Sequence, residues 1–354
     1  MRIAYDWGPL LDPPTGVGRY TRELAVALEA RDVKLTRYAV ALRGDSDDSV
    51  ARWRVPAKVA QSWWHRFDAP SIRRLVGDVD VVHGTNFVLP SLGGLPGVIT
   101  IHDLSFFRND VFPGGRRLET LVPWSIERAA VIATPTRAVA REVQQRFQVP
   151  EAKIAITPEG VSSLFFGATP LSDATLARMG IRRPFVLAVG TIEPRKNLRR
   201  LLQAWSQTRG EENDWMLVVA GPKGWGPQLP RRSGVVLTGW LSDETLPGLF
   251  AAAHVFCYPS LYEGFGLPPL EAMAAGTAAV VGDYPAAEEV VGDACIRVDP
   301  TDVGAFAEAL TELMQNDSLR KATALGGRAR AVTFNWEACA AETISVYLRA
   351  TGGS

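Results

Sequence analysis

Long apolar runs are missing from this chain. No stretch approaches the roughly 18 residues a spanning helix needs. The N-terminus, Met1-Arg-Ile-Ala-Tyr-Asp6, enters a strand pattern with no signal-like segment before it. Cysteine is scarce: the three, Cys257, Cys295 and Cys339, are odd in number, far apart and form no Cys-x-x-Cys. That excludes a disulfide framework or a thiolate zinc site and fits a reduced, cytoplasmic protein. There are only four histidines, His65, His83, His102 and His254, and no His-rich ligand set. Neither sign of charge dominates, with Lys plus Arg and Asp plus Glu both at 38, so the balance gives no reason to expect nucleic acid. The full dinucleotide fingerprint Gly-x-Gly-x-x-Gly is absent as well. Gly16 and Gly18 are followed by Thr at position 21, which argues against a nicotinamide enzyme.

What is present is an ordinary globular composition, 47% hydrophobic and 21% charged over 354 residues, long enough for two domains. Short apolar runs alternate with longer helical patterns, the signature of parallel βαβ units. Strands are expected at 2–5, 79–83, 97–101, 131–134 and 153–157, then at 185–190, 215–220, 235–238, 255–258 and 279–281. Helices are expected at 19–30, 118–129, 198–207, 244–252, 269–275, 301–315 and 336–350. The turn-rich stretch 162–183 reads as the linker. Two doubly wound α/β domains follow, 1–167 and 168–335, with ligands at the carboxyl ends of the strands.

The most informative segment is Glu263-Gly-Phe-Gly-Leu-Pro-Pro-Leu-Glu271. Two carboxylates eight positions apart bracket a turn that becomes a helix. Gly264 and Gly266 let the backbone turn sharply and approach a ligand, and Pro268 and Pro269 suit a helix start. The amides of Phe265, Gly266 and Leu267 at that helix N-terminus make an anion site. Glu271, expected in the first turn, suits the diol of a ribose, and Glu263 the far side of the phosphate. The stretch from Ser260 to Thr277 resembles the donor-site signature of glycosyltransferase family 4. The resemblance implies a retaining enzyme of GT-B fold: two facing Rossmann-like domains, the active site in the cleft between them, and a terminal helix, 336–354, crossing back onto the first domain.

A second segment, Val189-Gly-Thr-Ile-Glu-Pro-Arg-Lys-Asn197, follows the first strand of the second half. Cations at a strand-to-helix junction stabilise a departing diphosphate. The segment resembles the family's glycine–lysine element, with Gly190 in its glycine's place and Lys196 as the phosphate-binding lysine. Thr191 stands where many members carry Arg, so Arg195 is expected to take that role. Near the N-terminus, Gly16 and Gly18 would free backbone amides at a helix start, resembling the family's glycine loop. His102, at a strand's carboxyl end, matches the family's active-site histidine, which contacts the transferred hexose. Asp103 beside it is expected to orient the ring or meet the acceptor. His83 either lines the cleft or caps its strand, and His254 packs.

No metal is expected and no cofactor beyond the sugar nucleotide. Asp78-Val-Asp80 has the spacing of a metal clamp but reads as the polar lead into a buried strand, while Asp45, Asp47 and Asp48 lie in a polar loop. Trp63, Trp64, Arg66, Arg73, Arg74, Phe106, Phe107, Arg108, Arg116 and Arg117 mix aromatic and basic character. They form either a surface for peripheral membrane contact at the inner face and a lipid-linked acceptor, or a core stripe with solvated arginines. The expected function is metal-independent, retaining transfer of a hexose, mannose from GDP-mannose first, to an acceptor hydroxyl in glycan or glycolipid synthesis. The other readings are a nucleotide-sugar epimerase of related fold and a non-catalytic nucleotide-sugar-binding protein.

Overall fold

Runs rich in Val, Ile and Ala, buried on both faces, are the material of parallel sheets, and this chain builds two of them. The computed structural model describes residues 1–11, 15–42, 49–108 and 113–352. Asp12, Pro13 and Pro14, which lead into the glycine loop, and the acidic loop residues Asp45, Asp47 and Asp48 lie outside the described residues. The first sheet contains β1 (Arg2–Asp6), β2 (Lys34–Val40), β3 (Ala51–Trp53), β4 (Val81–Gly84), β5 (Gly97–Thr100), β6 (Val131–Thr134) and β7 (Ile154–Ile156). Its order is β3-β2-β1-β4-β5-β6-β7, parallel throughout. The second contains β8 (Phe185–Val189), β9 (Met216–Ala220), β10 (Val235–Gly239), β11 (Val255–Tyr258), β12 (Ala278–Gly282) and β13 (Ile296–Val298). Its order is β10-β9-β8-β11-β12-β13, again parallel.

In both sheets the winding direction reverses beside the first strand, between β1 and β4 and between β8 and β11. Loops leaving those neighbours part in opposite directions and open a crevice at the strands' carboxyl ends, where α/β sheets bind ligands. The chain divides into two compact units, Met1–Gly160 with Trp336–Ser354, and Val161–Asn335. The helix Trp336–Ala350 belongs to the first unit. Its Tyr347 hydroxyl lies 2.7 Å from His83 Nδ1, and its Arg349 donates to the Ala152 carbonyl at 2.8 Å.

The stretch 162–183 is not a bare linker. It forms helices Ser163–Phe166 and Asp173–Arg178 and packs within the second unit. Phe165, Leu176 and Ile181 are buried, and Arg183 donates to the carbonyls of Ala252 and Leu171 at 3.0 and 2.8 Å. Three buried apolar residues, each worth roughly 1.5–3 kcal/mol of burial, explain why a turn-rich sequence settles onto the domain.

Candidate active site

At the reversal point of the second sheet, β8 passes into Gly190. This residue has φ of +152°, which L side chains rarely adopt, and its amide donates to the Ala220 carbonyl at 2.9 Å. A Cβ on Gly221, just past the neighbouring β9, would lie 2.1 Å from the Gly190 oxygen, so the two loops can touch because Gly221 has no side chain. The chain then makes a single 3-10 turn, Pro194–Lys196, before the helix Leu198–Thr208. Asn197, left-handed at φ of +57°, joins turn to helix. Its side-chain amide donates to the carbonyls of Pro259 and Pro300 at 3.0 and 2.7 Å, tying this loop to the one that follows β11.

That tie brings four charged groups together. Lys196 Nζ donates to Glu263 Oε1 at 2.7 Å and to the Tyr258 hydroxyl at 2.6 Å. Arg195 pairs with Glu263 Oε2, donates to the Tyr262 carbonyl at 3.1 Å, and holds Glu193 at 2.8 Å. Glu263 and Glu193 are 7% and 5% exposed. Burial alone would push the Glu263 carboxyl up, but Arg195 and Lys196 outweigh it and hold the group at about 2. Burial raises Glu193 against the opposing pull of Arg195, and lowers Lys196 against the pull of Glu263. Two cations facing two carboxylates make the cluster formally neutral, not the surplus of fixed positive charge the sequence suggests. Both Glu263 oxygens face these cations, so its place is to hold them.

The helix carrying the second glutamate runs Leu267–Ala274. It starts earlier than the Pro269 expected from the sequence, which moves Glu271 out of the first turn and one turn inward, where it is 1% exposed. Gly266 is the N-cap at φ of +107°, and a Cβ there would sit 2.2 Å from the Tyr284 hydroxyl. That hydroxyl donates to the Phe265 carbonyl at 3.1 Å and so fixes the turn. The side chains of Phe265 and Leu267 are packed inward, leaving backbone as what this turn can present. Pro268 and Pro269 carry no N–H, so they have no donors to satisfy at the helix start.

In the first unit, Gly16 and Gly18 open the helix Gly16–Glu29. The Gly18 amide is not freed for an anion: it donates to Thr15 Oγ1 at 3.2 Å, an ordinary N-cap. A Cβ on Gly18 would come 3.1 Å from the Pro9 carbonyl, so the glycine lets the preceding turn lie on the helix. Gly16 faces open space.

His102 follows β5 and is 8% exposed. Its Nδ1 lies 3.0 Å from Glu159 Oε1 and its Nε2 2.9 Å from the Thr85 carbonyl, with the Tyr20 ring edge-on at 4.6 Å. Asp103 does not orient this ring; its carboxylate accepts from the Ser105 amide at 2.9 Å and caps the next turn, while Glu159 takes the orienting place. His83 is fully buried between Tyr347 and Thr100, its hydrogen bonds 2.7 and 2.8 Å long. Burial drives it down to about 3, so it is neutral packing and lines no opening. His254 lies against Trp215 and Phe185.

Asp80 accepts from the Arg2 amide at 2.7 Å and Asp78 pairs with Arg73 at the same distance. Among the described residues no group of three His, Cys, Asp or Glu is placed to hold a metal ion. The three cysteines are free thiols, with Cys295 pushed up to about 12 by burial. The aromatic-basic stretch divides. Trp64 is core, donating to the Pro70 carbonyl at 3.0 Å, and Phe106 is buried. Trp63 and Phe67 are 52% and 58% exposed. Among the described residues no helix is long and apolar enough to cross a membrane.

Glu193, Tyr258, Tyr284 and Glu159 were not singled out from the sequence. Glu193 could have been, since a carboxylate two residues from Arg195 on one loop is a readable charge pattern. Nothing in the sequence joins Glu159 to His102.

Two parallel sheets, wound 3-2-1-4-5-6-7 and 3-2-1-4-5-6, are the pair of Rossmann-like sheets of the GT-B fold, and the charged cluster lies at the reversal point of the second. The match to known proteins agrees. Residues 14–163 match the family model described as Glycosyltransferase Family 4, and residues 179–330 the model Glycosyl transferases group 1. The O-antigen chain mannosyltransferase B of Escherichia coli is 32% identical over 98% of this chain and 99% of its own length. The MMP alpha-(1->4)-mannosyltransferase of Mycolicibacterium hassiacum is 34% identical over 77% of this chain and 71% of its own. A solved sucrose-phosphate synthase from Thermosynechococcus elongatus shares the fold over 100% of both chains, with a TM-score of 0.77 at 20% identity. The chain belongs to glycosyltransferase family 4 and is a glycosyltransferase.

Proposed function

We propose that this enzyme transfers a mannosyl group, with retention and without a metal, from GDP-mannose to a hydroxyl of a glycan or lipid-linked acceptor. The observation that carries the reading is the buried Arg195–Lys196–Glu263 cluster at the reversal point of the second sheet. An ammonium has three hydrogens, and Lys196 spends two on Glu263 and Tyr258. The third is left for a phosphate oxygen. Charge on the leaving diphosphate grows as its bond to the sugar breaks, and a preorganised cation stabilises that growth without rearranging. Glu263 and Glu193 keep the two cations charged and in place. Glu271 is read as the ribose partner, and the turn Phe265–Leu267 as backbone offered to phosphate. The choice of mannose rests on the two mannosyltransferase relatives.

The acceptor side is read from the first unit. Val55, Val59, Trp63 and Phe67 recur every four residues and are all exposed, with Lys58 and Arg66 beside them. An apolar stripe flanked by cations suits the surface of an anionic membrane, where a lipid-linked acceptor would be met.

A panel of nucleotide sugars tests the reading. The protein should slowly release GDP from GDP-mannose, faster once an acceptor glycan is supplied, and give a product of retained anomeric configuration. Interconversion of the donor sugar without nucleotide release would make it an epimerase, and tight binding with no turnover a binding protein.

A further inference from the structure

Both ring nitrogens of His102 meet atoms that accept. The Thr85 carbonyl, 2.9 Å from Nε2, has no hydrogen to give, so Nε2 must be the donor. Nδ1 lies 3.0 Å from Glu159 Oε1. A lone pair on Nδ1 would set two acceptors against each other in a buried place, so a hydrogen stands between them. An imidazole nitrogen is a stronger base than a carboxylate oxygen, which puts that hydrogen on nitrogen.

We propose that Glu159 is a positioning residue that holds His102 as an imidazolium, hydrogen on both nitrogens, at the carboxyl end of β5. The surroundings are compatible with one charge pair. The titratable groups around it are Tyr20 from the helix Gly16–Glu29, His83 from β4, Cys339 from the helix Trp336–Ala350, and Asp103 next along its own loop. His83, down at about 3, brings no second positive charge, and burial keeps the Cys339 thiol protonated. Asp103 is turned to the Ser105 amide.

The consequence deepens the reading of this protein as a sugar transferase and rests on it. A ring with both nitrogens protonated and both hydrogens engaged offers no lone pair, so His102 does not take the proton of the acceptor hydroxyl. It contributes a fixed positive charge and a fixed backbone.

The test needs no turnover and so separates this proposal from that reading. Nitrogen-15 spectra of the intact protein, labelled at its four histidines, report each ring's protonation. Near neutral pH, His102 should show a directly bonded proton on each nitrogen, while His83 shows one. Glu159→Gln keeps an oxygen acceptor of the same reach but no charge, and should convert His102 to a ring with one proton at the same pH. A wild-type His102 carrying a single proton would overturn the proposal without any variant. An unchanged doubly protonated His102 in folded Glu159→Gln would overturn it too.

Discussion

Replacing Glu263 by Gln keeps the size and one acceptor of this side chain while removing its charge from the buried cluster. In the native protein two cations face two carboxylates. In the variant Glu193 is the carboxylate of this cluster that still faces Arg195 and Lys196. Two independent routes give the cost. The carboxyl sits at about 2 against its ordinary 4.5, and since the side chain is 8% exposed no large screening discount applies. That difference corresponds to about 3 kcal/mol of stability from its ionised form. Breaking one partner out of a buried ion pair costs about 3–5 kcal/mol in general. Both figures are large beside a total stability of about 5–15 kcal/mol.

The sign with pH follows. The folded value of Glu263 lies below its unfolded one, so the stabilisation is fully present above about 4.5 and is lost as pH falls toward about 2. Glu193, raised by burial, works the other way and gives up stability as pH rises through its folded value. Urea unfolding, with hydrogen exchange of the β11 amides reporting the second unit alone, should place Glu263→Gln about 3–5 kcal/mol below wild type at neutral pH, with a flatter acid limb. Adding Lys196→Met restores the charge balance and should recover a large part of the loss, a positive coupling in the double-mutant cycle. A single variant within about 0.5 kcal/mol of wild type, or strictly additive losses, would refute the account of the cluster.

Three further outcomes follow. Glu271→Ala should weaken nucleotide binding by about 1–3 kcal/mol in calorimetry if a buried ribose contact is removed; unchanged affinity in the folded variant removes that assignment. On the proposed reading, in which the remaining Lys196 hydrogen and the backbone of the Phe265–Leu267 turn take the diphosphate, donor hydrolysis should continue undiminished in excess EDTA; activity lost with EDTA and restored by manganese would contradict this. Trp63→Ala and Phe67→Ala should each weaken binding to sedimenting anionic vesicles, roughly ten- to a hundredfold if the side chain gives up about 1.5–3 kcal/mol of burial, while binding to neutral vesicles stays weak throughout.

Strands were legible where burial is complete on both faces. β11, Val-Phe-Cys-Tyr, and β6, Val-Ile-Ala-Thr, are interior strands buried at every position, and their bounds are the ones the sequence indicates. β2 and β3 were missed because they lie toward one edge of the sheet, where solvent admits charge. Arg37, in the middle of β2, pairs with Glu29 at 2.7 Å and covers the Trp7 ring. β13, at the opposite edge of the second sheet, was missed for the same reason, with Arg297 in its centre. The helix Asp317–Ala331 escaped because it buries only Gly327 and Ala331, too little apolar surface for a periodic signal.

The site was legible in its residues and not in its pairings, and the difference is physical. A glycine, a lysine and a glutamate on loops, with a second glutamate on the helix that follows, announce chemistry through what those side chains and backbones can do locally. Whether a charge is offered to a ligand or already matched depends on burial and on partners brought in from elsewhere in the fold. Arg195 and Lys196 read as two cations awaiting a diphosphate; the fold adds Glu193 from their own loop and Glu263 from the loop after β11. A neutral cluster of this kind binds an anion through its remaining donors and its rigidity more than through net charge. Its affinity for the sugar nucleotide should therefore depend less on salt than two exposed cations would make it, since buried pairs are screened far less than exposed charges.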